Sequence, residues 1–107
     1  MAAQARKYVT LPAEELRRFM EALLVAGGCS QASARAAAEV HLDADLKGLG
    51  VQGLDYLPYT LTSLKRGLID GKAEPLVVKR TAASAFIDGR RGLGQPVALL
   101  ASDLACE

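Results

Sequence analysis

Several residue types that often reveal a function are scarce in this sequence. It contains no tryptophan, one histidine, two cysteines, two phenylalanines and three tyrosines. The formal net charge is +1, and the longest basic runs are pairs such as Arg17-Arg18 and Arg90-Arg91. That is too little clustered positive charge for a nucleic-acid surface. We therefore expect no nucleic-acid partner.

Long apolar runs are also missing. No stretch reaches the roughly 18 apolar residues that a membrane-spanning helix needs, and the N-terminal segment MAAQARKYVT lacks the apolar centre of a secretory signal. Cys29 and Cys106 are far apart and form no motif, which favours free thiols in a reducing compartment over a disulfide. These observations favour a cytoplasmic protein with no membrane partner.

What the sequence does contain is enough apolar material for one domain. The chain has 107 residues, half of them hydrophobic, and we find no linker, repeat or low-complexity tract that would divide residues 1–107. Alanine supplies much of the apolar content, and alanine-rich faces bury little area each. A partner surface is therefore expected to complete the core.

Three helices are predicted in the first two thirds of the chain. The first follows Thr10, as the cap, and Pro12, and ends at Gly27-Gly28. The second is capped by Ser30, is rich in alanine and ends at Gly48. The third spans LDYLPYTLTSLKRG, with Pro58 in its first turn and Gly67 at its end.

The pattern then changes from helical to strand-like. PLVVKRT and SAFIDG are short and rich in branched and aromatic residues, which indicates two strands. GQPVALLASDLACE returns to helical spacing. The predicted fold class is mainly α (α+β): three N-terminal helices, a two-stranded β element and a C-terminal helix.

His41 and Asp45 are the first candidates for chemistry. Their i, i+4 spacing places both on one helix face, where they could begin a metal site. A third ligand is missing, because Asp43 points elsewhere, and a histidine on an alanine-rich helix is more often half-buried and hydrogen-bonded locally. We therefore expect no metal site.

The segment GRRGLG, residues 89–94, is a second candidate, because arginines and a helix start can hold phosphate. Its glycine spacing and its place in the chain differ from those of phosphate-binding loops, which favours a plain turn with solvated arginines. Tyr56 and Tyr59 suit packing better than catalysis, since an unperturbed tyrosine has a pKa near 10.

Four ordered motifs resemble one family of enzymes. They are LRRFMEALLVAG at residues 16–27, ADLKGL at residues 44–49, VQGLDYLP at residues 51–58, and AFIDGRRGLGQ at residues 85–95. In this order and spacing they resemble the N-terminal part of the malate/L-lactate dehydrogenase-like oxidoreductases, a group unrelated to the Rossmann-fold lactate dehydrogenases. The resemblance implies NAD(P) as the family's cofactor, bound by a domain that is absent from residues 1–107. We therefore expect no cofactor on this chain alone.

The departures from the family pattern fall on its chemistry. The resemblance implies Ser-His-Gly at the reaction centre, with the histidine as acid–base, and a following arginine that binds the substrate carboxylate. Val51, Gln52 and Tyr56 occupy these positions here. Glutamine cannot titrate, and tyrosine cannot make the charged, two-pronged contact of arginine. The sequence therefore predicts no catalytic residue at this corner.

The leading hypothesis is a non-catalytic protein that acts through association with itself or with a larger protein. In the family that it resembles, the front helices take part in subunit contacts, so the candidate contact residues lie on the third helix: Leu54, Leu57, Tyr59, Leu61 and Leu64. One alternative is a subunit or piece of an active NAD(P)-dependent dehydrogenase. A second alternative is a small carboxylate-binding module.

Overall fold

The computed structural model describes residues 7–107, so part of the N-terminal segment examined for a secretory signal lies outside the described residues. The elements, in chain order, are α1 (Ala13–Ala26), α2 (Gln31–Leu46), two 3₁₀ turns (Gly50–Gln52 and Leu54–Tyr56), α3 (Leu57–Lys65), β1 (Leu76–Arg80), β2 (Ala85–Asp88) and α4 (Gly94–Ala105). This arrangement confirms the predicted fold class. None of the helices in this part of the chain is long and apolar enough to cross a membrane.

The core lies between α1 and α2. Met20 and Leu24 of α1 are fully buried against the alanines of α2, namely Ala34, Ala37 and Ala38. Small side chains let two helix backbones approach closely, so that the larger residues of the neighbouring helix fill the space between them. The alanine-rich sequence of α2 is thus a packing surface.

Most predicted helix ends are confirmed, and one is wrong. The Ser30 hydroxyl accepts a hydrogen bond from the Ser33 N–H at 3.2 Å, as a helix cap does. Gly48 and Gly67 adopt positive φ angles of +77° and +73° beyond the ends of α2 and α3. However, α1 begins at Ala13 after Pro12 and has no side-chain cap, so the prediction that Thr10 caps it is incorrect.

The two strands form an antiparallel hairpin that is mostly exposed to solvent. Leu76 pairs with Asp88 and Arg80 with Ala85, and the register shifts between Val77 and Lys79. Every residue of β1 is exposed, and Phe86 of β2 is 65% exposed. The radius of gyration is 15.9 Å, against about 13 Å for a compact domain of this length, and β2 packs against α4.

The turn at residues 89–94 is held by bonds within the chain. Arg90 and Arg91 have φ angles of 56° and 63°, which are unusual for residues other than glycine. The Arg91 guanidinium donates to the Gly67 carbonyl at 2.8 Å, and the Asp70 N–H donates to the Arg91 carbonyl at 2.9 Å. This turn therefore ties the end of α3 to the start of α4.

The two cysteines are free thiols in different surroundings. Cys29 is buried in the core and Cys106 is exposed near the end of α4. Burial raises the pKa of the Cys29 thiol, which disfavours its thiolate. Cys29 is thus a core residue.

A close backbone approach outside the secondary structure involves Gly71, and it generates a stability prediction. A Cβ atom at Gly71 would lie 2.5 Å from the Gly28 carbonyl oxygen, whereas one at Gly50 would meet nothing within 4 Å. We expect Gly71→Ala to lower the free energy of unfolding by about 1–3 kcal/mol, since backbone must shift to admit the methyl group. Gly50→Ala is the control, with an expected change within about 0.5 kcal/mol. Urea unfolding followed by circular dichroism measures both, and equal stabilities would contradict the prediction.

Candidate functional site

The candidate site is the corner between α2 and α3, where the chain turns through the two 3₁₀ segments. Asp45, on the last turn of α2, accepts a hydrogen bond from the Leu54 N–H at 2.9 Å. Gly53 is buried against the same carboxylate, and a Cβ atom at this position would overlap the carboxylate oxygens. The glycine is needed because backbone and carboxylate share this space, which fixes the turn against the end of α2.

His41 lies one helical turn before Asp45 and reaches the same corner. Its side chain is buried, with 4% of the residue exposed. Nδ1 lies 2.7 Å from the Gln52 carbonyl oxygen, and Nε2 lies 3.4 Å from the amide nitrogen of Gln95. The Tyr56 ring is tilted against the imidazole with 5.8 Å between centroids. His41 is thus hydrogen-bonded within the chain, as expected, but it is buried rather than half-buried, and its partner lies 11 residues away.

His41 and Asp45 do not converge on a common ligand. The Asp45 carboxylate is used by the backbone of the turn, while the imidazole faces Gln52 and Gln95. Within residues 7–107 there is no group of three or more histidine, cysteine, aspartate or glutamate side chains that could hold a metal ion.

A cavity of about 350 Å³ opens beside His41. Its walls come from three parts of the chain: α2, the 3₁₀ turns and the start of α4. The lining residues are Val40, His41, Ala44, Gln52, Tyr56 and Gln95. The combination of apolar walls with a few convergent polar groups is typical of small-molecule sites.

The structure brings together only some of the positions singled out from the family pattern. Gln52 and Tyr56 both line the cavity, whereas Val51 is 82% exposed and is not among its lining residues. The corner thus contains a concave site, and two of the three positions singled out from the family pattern lie on its wall.

The candidate contact residues divide into an inner and an outer set, and Leu54 lies in the second 3₁₀ turn rather than in α3. Leu57 is 1% exposed and belongs to the core, and Leu54, Leu61 and Leu64 are half-buried against that core. Tyr59 is 70% exposed, with its ring 5.8 Å from that of Tyr56. Leu57 therefore has almost no surface left for a partner, and Tyr59 is the member of the set with most of its surface free.

Sequence reasoning missed two members of the cavity. From the sequence, His41 is interpreted as a metal ligand or as a packed side chain and is not placed at the corner. Its i, i+4 spacing to Asp45 is the signal that could have placed it there. Gln95 stands 54 residues further along the chain. The GLGQ motif marks Gln95, but no spacing rule links it to His41.

Several hydrogen-bond donors of the GRRGLG turn are used inside the chain. The Arg90 N–H donates to the Asp88 carboxylate at 2.9 Å, and the Gly92 N–H donates to the Gly89 carbonyl at 2.9 Å. The Arg91 guanidinium donates to the Gly67 carbonyl. These bonds give the turn a structural role.

The fold is that of a group of dehydrogenases and reductases with solved structures. The delta1-piperideine-2-carboxylate reductase from Pseudomonas syringae pvar. tomato superposes with a TM-score of 0.86 and 30% identity, over 92% of this chain and 30% of that one. The sulfolactate dehydrogenase from Methanocaldococcus jannaschii superposes with a TM-score of 0.82, over 89% of this chain and 28% of that one.

Sequence similarity to known proteins shows the family to which the chain belongs. The family model of malate/L-lactate dehydrogenase matches residues 11–107, and the L-sulfolactate dehydrogenase of Methanocaldococcus jannaschii is 38% identical over 95 residues. The chain belongs to the malate/L-lactate dehydrogenase family, which confirms the resemblance noted above. It spans 28% of the length of that relative.

The role of Asp45 in holding the corner can be tested against its neighbour Asp43. Asp45→Ala leaves the partly buried Leu54 N–H without its acceptor, so we expect the free energy of unfolding to fall by about 1–3 kcal/mol. Asp43 forms an exposed ion pair with Lys47 at 2.7 Å, so Asp43→Ala should cost less than about 1 kcal/mol. Thermal and urea unfolding of the two variants measure the difference. A larger loss in Asp43→Ala would show that the corner does not depend on Asp45.

Proposed function

We propose that this chain is not catalytic by itself and acts through association with itself or with a larger protein. One observation carries the proposal. The family scaffold is retained, with a TM-score of 0.86 to a solved reductase, while Val51, Gln52 and Tyr56 stand at the positions where the family resemblance implies serine, histidine and arginine. Retained architecture with exchanged reactive groups favours a structural role.

The exchanged residues cannot do the chemistry of the groups they replace. Reduction of a 2-oxo acid needs a proton at the carbonyl oxygen, and the amide of Gln52 has none to give near neutral pH. The phenol of Tyr56 has a single hydroxyl group and cannot form the bidentate ion pair that a guanidinium forms with a carboxylate. Val51 offers no hydrogen-bonding side chain at all.

The β hairpin supports association. Its exposed apolar residues lie on both strands, and they are Leu76, Val77, Val78 and Phe86. A two-stranded ribbon without cover is marginal in water, and exposed apolar patches mark interaction sites. Tyr59 adds a second exposed aromatic residue of the kind enriched at protein interfaces.

Light scattering coupled to gel filtration tests self-association. We expect a mass above the 11.3 kDa of the monomer, rising with concentration, and a shift toward monomer in the double variant Val78→Lys/Phe86→Lys, since buried charge opposes apolar contact. Leu68→Lys, at an exposed position outside the hairpin, is the control. A compact monomer over a wide concentration range would contradict self-association.

A second candidate function is a subunit of an active NAD(P)-dependent dehydrogenase, with the remainder of the family fold on the same or another polypeptide. The observation that favours it is the buried His41 on the wall of the corner cavity, because histidine is the side chain most often used for proton transfer near neutral pH. Under this proposal His41 would do what Gln52 cannot.

Reconstitution tests the second candidate. We expect residues 1–107 to be inactive alone, and to support NAD(P)H oxidation with a 2-oxo or imino acid once combined with a polypeptide that carries the rest of the family fold. The coding sequence next to this chain is the place to seek that polypeptide. A complex of the two that forms but binds no nicotinamide would exclude the dehydrogenase candidate.

The two free thiols provide an argument about the cellular compartment of the protein. Cys29 and Cys106 are both unpaired, and one is exposed. Exposed free thiols persist in reducing compartments, which supports a cytoplasmic location as part of this proposal.

A further inference from the structure

The segment that precedes α1 is an extended arm exposed to solvent, and we call residues 7–11 the arm. Residues 7–12 form neither helix nor strand, and Pro12 is extended, with φ −56° and ψ 137°. Tyr8 is 85% exposed and Val9 is 82% exposed. Tyrosine, valine and threonine are residue types enriched in strands, and within residues 7–107 the sheet consists of β1 and β2 alone. The arm thus has the sequence of a strand without a partner strand in its own chain.

The outer edge of β2 is the side of the hairpin better suited to a further strand. A strand at the edge of a sheet presents N–H and C=O groups that another strand can pair with. On β1, Lys79 and Arg80 together with the register shift beside Lys79 oppose such pairing. Ala85–Asp88 contains no cation and ends in a carboxylate. Oδ1 of Asp88 accepts the Arg90 N–H at 2.9 Å, which holds that carboxylate at the end of the strand.

A cleft of about 460 Å³ lies between the hairpin and α4. Ala85 and Ile87 line it from β2, and the ion pair between Arg80 and Glu107 lies on its wall. Its α4 wall is apolar and consists of Ala101, Leu104 and Ala105. Alternate residues of a strand face the same side of a sheet, so a strand added beside β2 would direct every second side chain into this cleft.

We propose that the arm of one copy adds to the outer edge of β2 of a second copy, antiparallel to β2, with Lys7 opposite Asp88. This inference rests on the self-association proposed above and names the contact that produces it. Addition of an extended segment to a sheet edge is a recurrent mode of protein recognition, in which backbone hydrogen bonds give affinity and side-chain pockets give specificity. The pairs of this register are Lys7–Asp88, Tyr8–Ile87, Val9–Phe86 and Thr10–Ala85.

Charge and shape both support this register. Opposite charges that face each other across two strands are stabilising, and like charges are destabilising. Lys7 therefore favours the carboxylate end of β2 and disfavours β1, which carries two cations. Tyr8 lies beside Ile87 in this register and faces the same side of the sheet, so its ring enters the cleft against Leu104. The contact covers the exposed aromatic ring of the arm and the exposed strand together.

One pair of chains can form this contact twice. The arm and β2 are different surfaces of the same chain, so a twofold axis places each arm on the partner's hairpin and closes the assembly. The expected species is a dimer, with twice the 11.3 kDa mass of the chain. Exchange of an identical element between two copies is a known route to such dimers.

Disulfide trapping tests which strand receives the arm. Cys106→Ser removes the exposed thiol, while Cys29 is buried. In this background a Val9→Cys chain is mixed with a Phe86→Cys chain, and directly opposed residues of paired strands lie close enough for a disulfide. We expect a two-chain product on non-reducing electrophoresis. The control mixture pairs Val9→Cys with Val78→Cys on β1, and its product should form at least about tenfold more slowly. Equal rates in the two mixtures, or no product from the first, would overturn the proposal.

A charge exchange tests the register independently. Lys7→Glu sets two carboxylates opposite each other at both contacts of the dimer, and should raise its dissociation constant at least about fivefold. Lys7→Glu/Asp88→Lys restores opposite charges and should recover dimerisation. Lys72→Glu makes the same charge change at an exposed position outside the arm and the hairpin, and should leave the constant unchanged. Equal constants for the two single variants, or a double variant that is folded by circular dichroism and fails to recover, would reject the register.

These outcomes separate the arm contact from self-association itself. A chain that stays monomeric at every concentration rejects both. A dimer that shows no preference for Phe86→Cys and no response to Lys7→Glu rejects the arm contact and leaves self-association through another surface. A dimer that shows both responses identifies the arm and β2 as the contact.

Discussion

The corner depends on one contact, in which the Asp45 carboxylate accepts the Leu54 N–H beside a glycine with no side chain. This bond holds the 3₁₀ turns against the last turn of α2, and so sets where α3 begins. The same approach brings the Gln52 carbonyl within 2.7 Å of His41. A longer side chain at Gly53 would displace the carboxylate and separate the imidazole from its anchor. The cavity therefore depends on the backbone of the turn meeting the Asp45 carboxylate at Gly53, where a Cβ atom would overlap the carboxylate oxygens.

Local structure was largely predictable because its causes are local. Gly48 and Gly67 adopt the positive φ angles that end helices, and Ser30 caps α2. The start of α1 was not predicted correctly, because the helix begins directly after Pro12 and no side chain caps it. The His41 site could not be derived from spacing, since its contact with Gln95 joins residues 54 positions apart and depends on how α4 packs on α2. The sequence identifies His41 as a candidate residue, but it does not predict which residues lie next to it in the fold.

The residues that build the core differ in position from those on the cavity wall. The alanines of α2, the glycine at the corner and the leucines behind it serve packing, and the fold superposes with a TM-score of 0.86 on a solved reductase. Val51, Gln52 and Tyr56 lie at the surface or on the cavity wall, where a substitution costs little stability. The backbone carbonyl of Gln52 anchors His41, so this position supports the structure through its main chain.

The hairpin gives the molecule two unlike edges. β1 carries Lys79 and Arg80, whereas β2 carries no cation in Ala85–Asp88, and the register slips beside Lys79. Cationic side chains and bulges are the means by which strands discourage uncontrolled sheet extension. The positive charges on β1 and the irregular pairing beside Lys79 therefore oppose the addition of another strand next to β1. The outer edge of β2 has neither feature. β2 is the strand that contacts α4, so the two strands differ both in charge and in the cover that they receive.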